Sequence, residues 1–235
     1  MTMKEETLSE KAVKLYELGA HFGQSRSRRH PSMKGFVAGA KSKTDILNLS
    51  HTGVQLEEAE GAMKTFGRDG ASILFVSGKK EFEQEVTKVA EGIGQFFVAG
   101  RWLGGTLTNF SEIKKRLDRL SELSSEEGER TASARYTKLE RLLRDRERAR
   151  LMERFSGIQT MTKLPDALVI VDTSREHIAV LEAKGKKIPI IGIMSSDCNL
   201  SDATFPIVAN DASRKTVSHI LSVLADAYRA GRDTK

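Results

Sequence analysis

The spacing of apolar residues changes several times along this chain, and each change predicts a different element. Leu8, Ala12, Leu15 and Leu18 fall on one helical face, opened by a Thr7–Glu10 capping pair and stopped by Gly19. His21–Thr44 opens without a regular period and is broken by Pro31, Gly35 and Gly39. Phe36–Ala38 and Asp45–Leu49 predict a hairpin across the Gly39–Thr44 turn. From Ile46 onward, short apolar runs alternate with amphipathic helices. Thr52–Phe66 carries Leu56, Ala59, Met63 and Phe66 on one stripe, and Phe82, Val86, Val89 and Ile93 make the next. Between them Ser72–Val76 is a continuous apolar run, as a strand covered on both faces must be. Phe96–Ala99 is the following strand, and strand–helix–strand units of this length imply parallel pairing with right-handed crossovers.

Asn109–Leu123 interrupts the alternation. It reads as a helix with Ile113, Leu117, Leu120 and Leu123 in narrow register, and Asn109 with Glu112 resembles a capping box. Ser124–Ala134 is polar and reads as a loop. Tyr136–Phe155 is helical again, with Leu139, Leu142, Leu143, Leu151, Met152 and Phe155 as its apolar positions. Narrow stripes with charged flanks suit two helices packed on each other as an antiparallel hairpin arm. The alternation then resumes. Ala167–Val171 is a strand. Thr173 and Glu176 form another capping pair, before a helix with Ile178, Val180 and Leu181 facing inward and Gly185 at its end. Ile188–Met194 and Pro206–Ala209 are strands. Asp211 caps a last helix striped by Val217, Ile220, Leu221, Leu224 and Tyr228. The expected fold is α/β, a doubly wound parallel sheet of about five strands with helices on both sides. Residues 1–108 and 157–235 form the α/β domain, and 109–156 form the inserted helical arm.

Charge adds a direction. The 235 residues hold 38 Lys and Arg against 32 Asp and Glu, a net charge of +6 with a pI near 9.4, which favours an acidic partner. The excess is concentrated. Arg26, Arg28, Arg29, Lys34, Lys41 and Lys43 follow one another with no acid between Glu17 and Asp45. The second arm helix is also net positive, with nine Lys/Arg and five Asp/Glu from Glu129 to Arg154. One cysteine, Cys198, excludes an internal disulfide and fits a reducing compartment. No apolar run reaches the roughly 18–20 residues of a membrane span, and MTMKEETLSE reads as neither a secretory signal nor a transit peptide.

Catalytic motifs are sparse. No G-x-G-x-x-G and no G-x-S-x-G occurs, and Ser77-Gly78-Lys79-Lys80 is only a faint echo of a phosphate-binding loop. Asp172, at a strand end, is either a catalytic carboxylate or support for the turn and the next helix. His21, His30, His51, His177 and His219 are dispersed without zinc-site spacing. Cys198 lies in a polar loop with no basic neighbour and reads as a bystander. The chain is expected to need no cofactor and to act on no small-molecule substrate.

Binding chemistry is denser. A loop with six cations in about twenty residues repels itself unless an anion offsets it. Arginines interrupted by serine suit bidentate phosphate contacts. Neutralising about five phosphates would give a log–log salt slope of about −3.5 to −4.5. The stretch Phe97–Phe110, FVAGRWLGGTLTNF, holds the only tryptophan, Trp102, beside Arg101, in a glycine-rich turn between strand and arm. Trp102 is either a core plug or part of a binding surface. No aromatic platform of the RRM kind is visible, so structured RNA would be met by shape and charge.

The W-x-G-G-x-L-T-N string closely resembles the signature of the small ribosomal subunit protein two family, in its bacterial or organellar form. Gly19–Met33, Pro165–Asp172, Glu176–Ala183, Ile188–Met194 and Phe205–Ala212 resemble other blocks of that family, in its order. The resemblance implies a flavodoxin-like domain with an inserted hairpin, and a structural constituent of the small subunit that takes part in translation. The implied partners are small-subunit rRNA and neighbouring subunit proteins, including the large multi-domain mRNA-binding one where it exists. The implied location is the cytoplasmic ribosome, or that of an organelle. The rRNA role falls on Arg26, Arg28, Arg29, Lys34 and Lys41. Lys43 and Arg101 join them on charge and position, and Trp102, Gly104, Gly105 and Asn109 take a structural role. The chain departs from the family pattern at Gln24, at Arg29-His30-Pro31 and at Ser195–Leu200. The competing expectations are a flavodoxin-like enzyme binding nucleotides or sugar phosphates, and an RNA-binding regulator acting off the ribosome.

Overall fold

The computed structural model describes residues 10–128 and 136–234. Thr7 and Leu8 of the first expected helix, and residues 129–135 around the end of the expected 124–134 loop, lie outside them. Five parallel strands form the main sheet: β4 (Ile73–Ser77), β5 (Phe96–Ala99), β6 (Ala167–Val171), β7 (Ile190–Met194) and β8 (Phe205–Val208). Their order across the sheet is β5-β4-β6-β7-β8. In sequence terms that is 2-1-3-4-5, the flavodoxin-like doubly wound order, and the order in which strands are added reverses between β4 and β6.

The apolar runs alternate between two cores. Ile73, Phe75, Val169, Val171, Ile191 and Ile193 face helices α1 (Glu10–Glu17), α2 (Leu49–Asp69), α3 (Glu83–Gly92) and α7 (Arg214–Asp233). Leu74, Val76, Leu168 and Ile170 share the opposite core with Trp102 and Leu107, with α4 (Phe110–Gly128), with Phe155 at the end of α5 (Lys138–Phe155), and with α6 (His177–Gly185). Successive strand residues point to opposite faces, so a strand covered on both must be apolar at every position. Helices α2 and α7 touch at backbone distance. A Cβ at Gly67 would fall 2.1 Å from the Tyr228 carbonyl oxygen, and one at Gly231 would fall 2.1 Å from that of Lys64.

The segment before α2 was only half legible. The expected hairpin forms, as β2 (Val37–Lys41) against β3 (Thr44–Leu47), but its turn is Ser42–Lys43, both at positive φ. Gly39 lies within β2, beside a register shift. A further strand, β1 (Phe22–Ser25), pairs antiparallel with β3 and makes a three-stranded sheet, β1-β3-β2. Its FGQS sequence has no alternation that would announce it. Met33 and Leu47 pack on Met194, Val208 and Cys198, fastening the small sheet to the ends of β7 and β8. Cys198 is therefore a core residue, and burial pushes its thiol up to about 12, which agrees with its reading as a chemical bystander.

Three helix starts differ from expectation. At Asn109 no capping box forms: the Glu112 amide donates to the Asn109 carbonyl, the Glu112 carboxylate is taken by Lys115, and the Asn109 side chain accepts from the Ser111 hydroxyl. Ser213, not Asp211, caps α7 by accepting from the Thr216 amide. Thr173 and Glu176 form no box, and the carboxylate of Glu176 lies against Gly78 instead. On α6, Ile178 and Leu181 face outward while Ala179, Val180, Glu182 and Ala183 are buried. Within the arm, α4 runs on to Gly128 and buries Ile113, Leu117, Leu120 and Leu123. Its partner buries less: Leu139, Leu142, Leu143 and Met152 of α5 are exposed and only Phe155 is fully inside. A capping box between Thr137 and Glu140, which the apolar spacing does not reveal, starts α5.

Candidate nucleic-acid interface

The signature loop is organised by a residue that sequence reasoning passed over, Glu182 of α6. One carboxylate oxygen accepts from the Trp102 indole Nε1 at 3.1 Å and from the Gly105 amide at 2.8 Å. The other accepts, at 3.0 Å each, from the Leu107 amide, the Thr108 amide and the Thr108 hydroxyl. Burial by itself would raise this carboxyl, but the amide and indole donors outweigh it and hold Glu182 below its ordinary value. Gly105 sits at φ +94, a conformation that presents its amide to the carboxylate and that L side chains rarely adopt. Trp102 is thus a buried, hydrogen-bonded plug. Gly104 is exposed beside open space, and the Asn109 amide closes the turn on the Gly105 carbonyl. Arg101 is the cation this loop leaves in solvent.

The basic segment has a pinned backbone and free side chains. Its backbone is tied to the loop after β7. The Ser196 carbonyl accepts from the His30 amide at 2.9 Å, and the Ser196 hydroxyl accepts from the Gln24 amide at 2.9 Å. In return the Leu200 amide donates to the Ser32 hydroxyl at 3.1 Å. The stretches where the sequence departs from the family pattern therefore meet in space. The Arg26 amide donates to the Lys43 carbonyl at 2.9 Å, which brings the Arg26 turn beside the Lys41–Lys43 hairpin tip. Arg26, Arg28, Lys34, Lys41 and Lys43 are exposed, with no side-chain partner among the described residues.

Arg29 differs from the other five cations. Its Nε donates to Asp45 Oδ2 at 2.6 Å and its second guanidinium nitrogen meets Asp45 Oδ1. The Asp45 side chain is fully buried, so Arg29 serves as the fork that keeps that carboxylate paired. Arg101 stands apart in a different way. It follows β5 at one edge of the parallel sheet, whereas the small sheet docks on β7 and β8, so the two are separated by three strand spacings, roughly 14 Å.

A second cationic surface lies on the arm. A cavity of about 490 Å³ between α4 and α5 is lined by Arg116, Arg146, Arg150 and Arg154, over Leu143, Leu151 and Phe155. Its one acid, Glu147, is held by Arg119 at 3.2 Å.

In a doubly wound fold, ligands favour the crevice where the strand order reverses. Here that place is filled. Lys79, the lysine of the phosphate-loop echo, lies 2.8 Å from Asp172 and 3.2 Å from Asp211. Asp172 also accepts from the Arg175 amide at 3.0 Å, so it supports the turn before α6. A lysine so engaged, beside a glycine against which the Glu176 carboxylate is packed, offers no cradle to a phosphate.

The family model of ribosomal protein S2 matches residues 15–231. The chain belongs to the ribosomal protein S2 family. A small ribosomal subunit protein uS2 of Kocuria rhizophila is 38% identical over 213 residues, covering 91% of this chain and 75% of the relative. Those of Corynebacterium urealyticum and Corynebacterium jeikeium are 36% and 38% identical over 221 residues, covering 94% of this chain and 82% and 80% of the relatives. In this S2-family chain the signature loop and the basic segment both fall inside the matched region. Among the described residues no helix is long and apolar enough to cross a membrane.

Proposed function

We propose that this chain is a structural constituent of the small ribosomal subunit, holding small-subunit rRNA by shape and phosphate contacts and taking part in translation. The observation that carries the reading is the pinned backbone of the basic segment with its cationic side chains left over. Arg26, Arg28, Lys34, Lys41 and Lys43 stand on a small sheet fixed to the main one, positioned to meet phosphates without base-specific groups. Arg101 adds a contact from the other sheet edge. Arg29 acts through Asp45, as a positioning residue. The arm, residues 109–156, is an inserted unit rooted in the core on one face of the sheet, and its arginine-lined cavity supplies a further RNA contact. Residence is the cytoplasmic ribosome, with neighbouring subunit proteins, including the large multi-domain mRNA-binding one, as protein partners. An enzymatic role finds no support: the S2 family is a structural component, and the crevice of the fold is occupied by the chain's own side chains.

Sedimentation of a native extract at low and raised salt tests this. The expected result is migration with the small subunit and release as salt rises. Confinement to the top of the gradient at low salt would overturn the reading and revive that of a free regulator.

A further inference from the structure

Three aromatic rings meet at the junction of α1 and β1, the first pair stacked and the second tilted. Tyr16 lies on His21 with centroids 4.5 Å apart and planes at 18°, and His21 lies on Phe22 at 4.1 Å and 39°. A stack of this kind ordinarily closes a core, yet the two flanking rings are in solvent: Tyr16 is 62% exposed and Phe22 46%. Val13, one helical turn before Tyr16, is 45% exposed and extends the patch. The central ring is carried on a backbone that is held, because the His21 carbonyl accepts from the Leu47 amide at 2.8 Å. Its Nδ1 is buried with no partner among the described residues. No sequence pattern disclosed the platform, because Tyr16 comes from a helix and Phe22 from the strand after a turn.

The surroundings say what would cover it. Phe22 begins β1, and β1 ends at the Arg26–Arg28 turn. Four strand residues span roughly 13 Å. The rings therefore stand a few nucleotides from the exposed guanidinia of Arg26 and Arg28, in the segment that carries six cations and no acid. Flat rings beside free guanidinia are the pairing by which proteins hold unpaired nucleotides: the base stacks and the phosphate is neutralised. A purely apolar protein partner would leave those cations unmatched.

We propose that Tyr16, His21 and Phe22 form a base-stacking platform that seats an unpaired RNA base while the adjoining phosphates meet Arg26 and Arg28. This rests on the RNA-binding reading above and adds what that reading lacks, a contact with a base.

The test compares a labelled short oligoadenylate with an abasic strand of the same length and charge, by fluorescence anisotropy with the full chain at fixed salt. The native chain is expected to bind the adenylate about tenfold more tightly, the range for a stacked base. Tyr16→Ala and the Tyr16→Ala/Phe22→Ala pair are expected to lose that preference while keeping the affinity for the abasic strand. Tyr16→Phe and Phe22→Tyr, which keep the rings, are expected to retain it. Equal binding of both strands by the native chain, with normal salt dependence, would overturn the platform and leave the phosphate reading standing. The platform is overturned as well if Tyr16→Ala still prefers the adenylate, which would leave the patch to a protein partner. Binding of neither strand would overturn the platform too, while the sedimentation result decides the RNA reading separately.

Discussion

The signature loop and the basic segment lie at the same end of the parallel sheet and are built on opposite terms. In the loop, the polar groups turn inward. Trp102, Gly105, Leu107 and Thr108 all donate to one buried carboxylate, and what remains outside is Arg101. In the basic segment the backbone turns inward and the side chains do not. Gln24, His30 and Ser32 fasten it to the loop after β7, while five cations stay in solvent. A loop of the first kind holds a fold, because a buried carboxylate must be satisfied and satisfies its donors in turn. A segment of the second kind holds a partner, because like charges held together by fixed backbone are relieved when an anion arrives. Arg29 breaks the pattern: it lies in the basic segment and behaves as the loop does.

The largest effect should come from Glu182→Ala. It strands five donors at once, and a loss of about 2–4 kcal/mol is expected, read as a fall in the unfolding midpoint. Trp102 is the only tryptophan, so its emission reports the loop directly. The clamp should also fail in acid. A carboxyl held below its ordinary value contributes stability that is complete above that value and is lost as pH falls through the lower, folded one. Trp102 emission should therefore shift below the ordinary glutamate range in the native chain. In Glu182→Gln no transition should track that range.

Arg29→Ala comes next. If Arg29 is the fork for Asp45, the variant melts at a lower temperature and keeps the native salt slope for RNA. A lowered slope with unchanged melting would place Arg29 among the phosphate contacts instead. The smallest effects belong to Arg26→Ala and Arg28→Ala. Each should leave melting unchanged and reduce the log–log salt slope by about 0.7–0.9. A change in melting with either would blur the line between the two regions.

The parallel sheet was legible in the sequence because strands covered on both faces are apolar at every position, as Ile73–Ser77 and Ala167–Val171 nearly are. The helices facing the sheet were legible through Leu56, Ala59 and Met63, or Val217, Ile220 and Leu221. Strand β1 was not, since FGQS has neither alternation nor an apolar run and is a strand only because β3 lies beside it. The arm misled for a related reason. Leu139, Leu142 and Leu143 have helical spacing, but spacing says that side chains share a face, not that anything covers it. The six cations of the basic segment could be counted from the sequence, but not sorted. Arg28 and Arg29 are adjacent, and only the position of Asp45 across the small sheet distinguishes them.

By itself, then, the sequence determined the periods, the order of elements, the charge of the basic segment and the family resemblance, all of which are properties of neighbours along the chain. The tertiary structure decided that Glu182 would gather the signature loop 74 to 80 residues away. It also decided that Ser196 would pin the basic segment, and that Tyr16 and Phe22 would flank His21. Those choices depend on which donor, ring or carboxylate the fold brings within a few ångströms. Separation in space is not written in the separation between residues until the sheet has closed and its two faces have been covered.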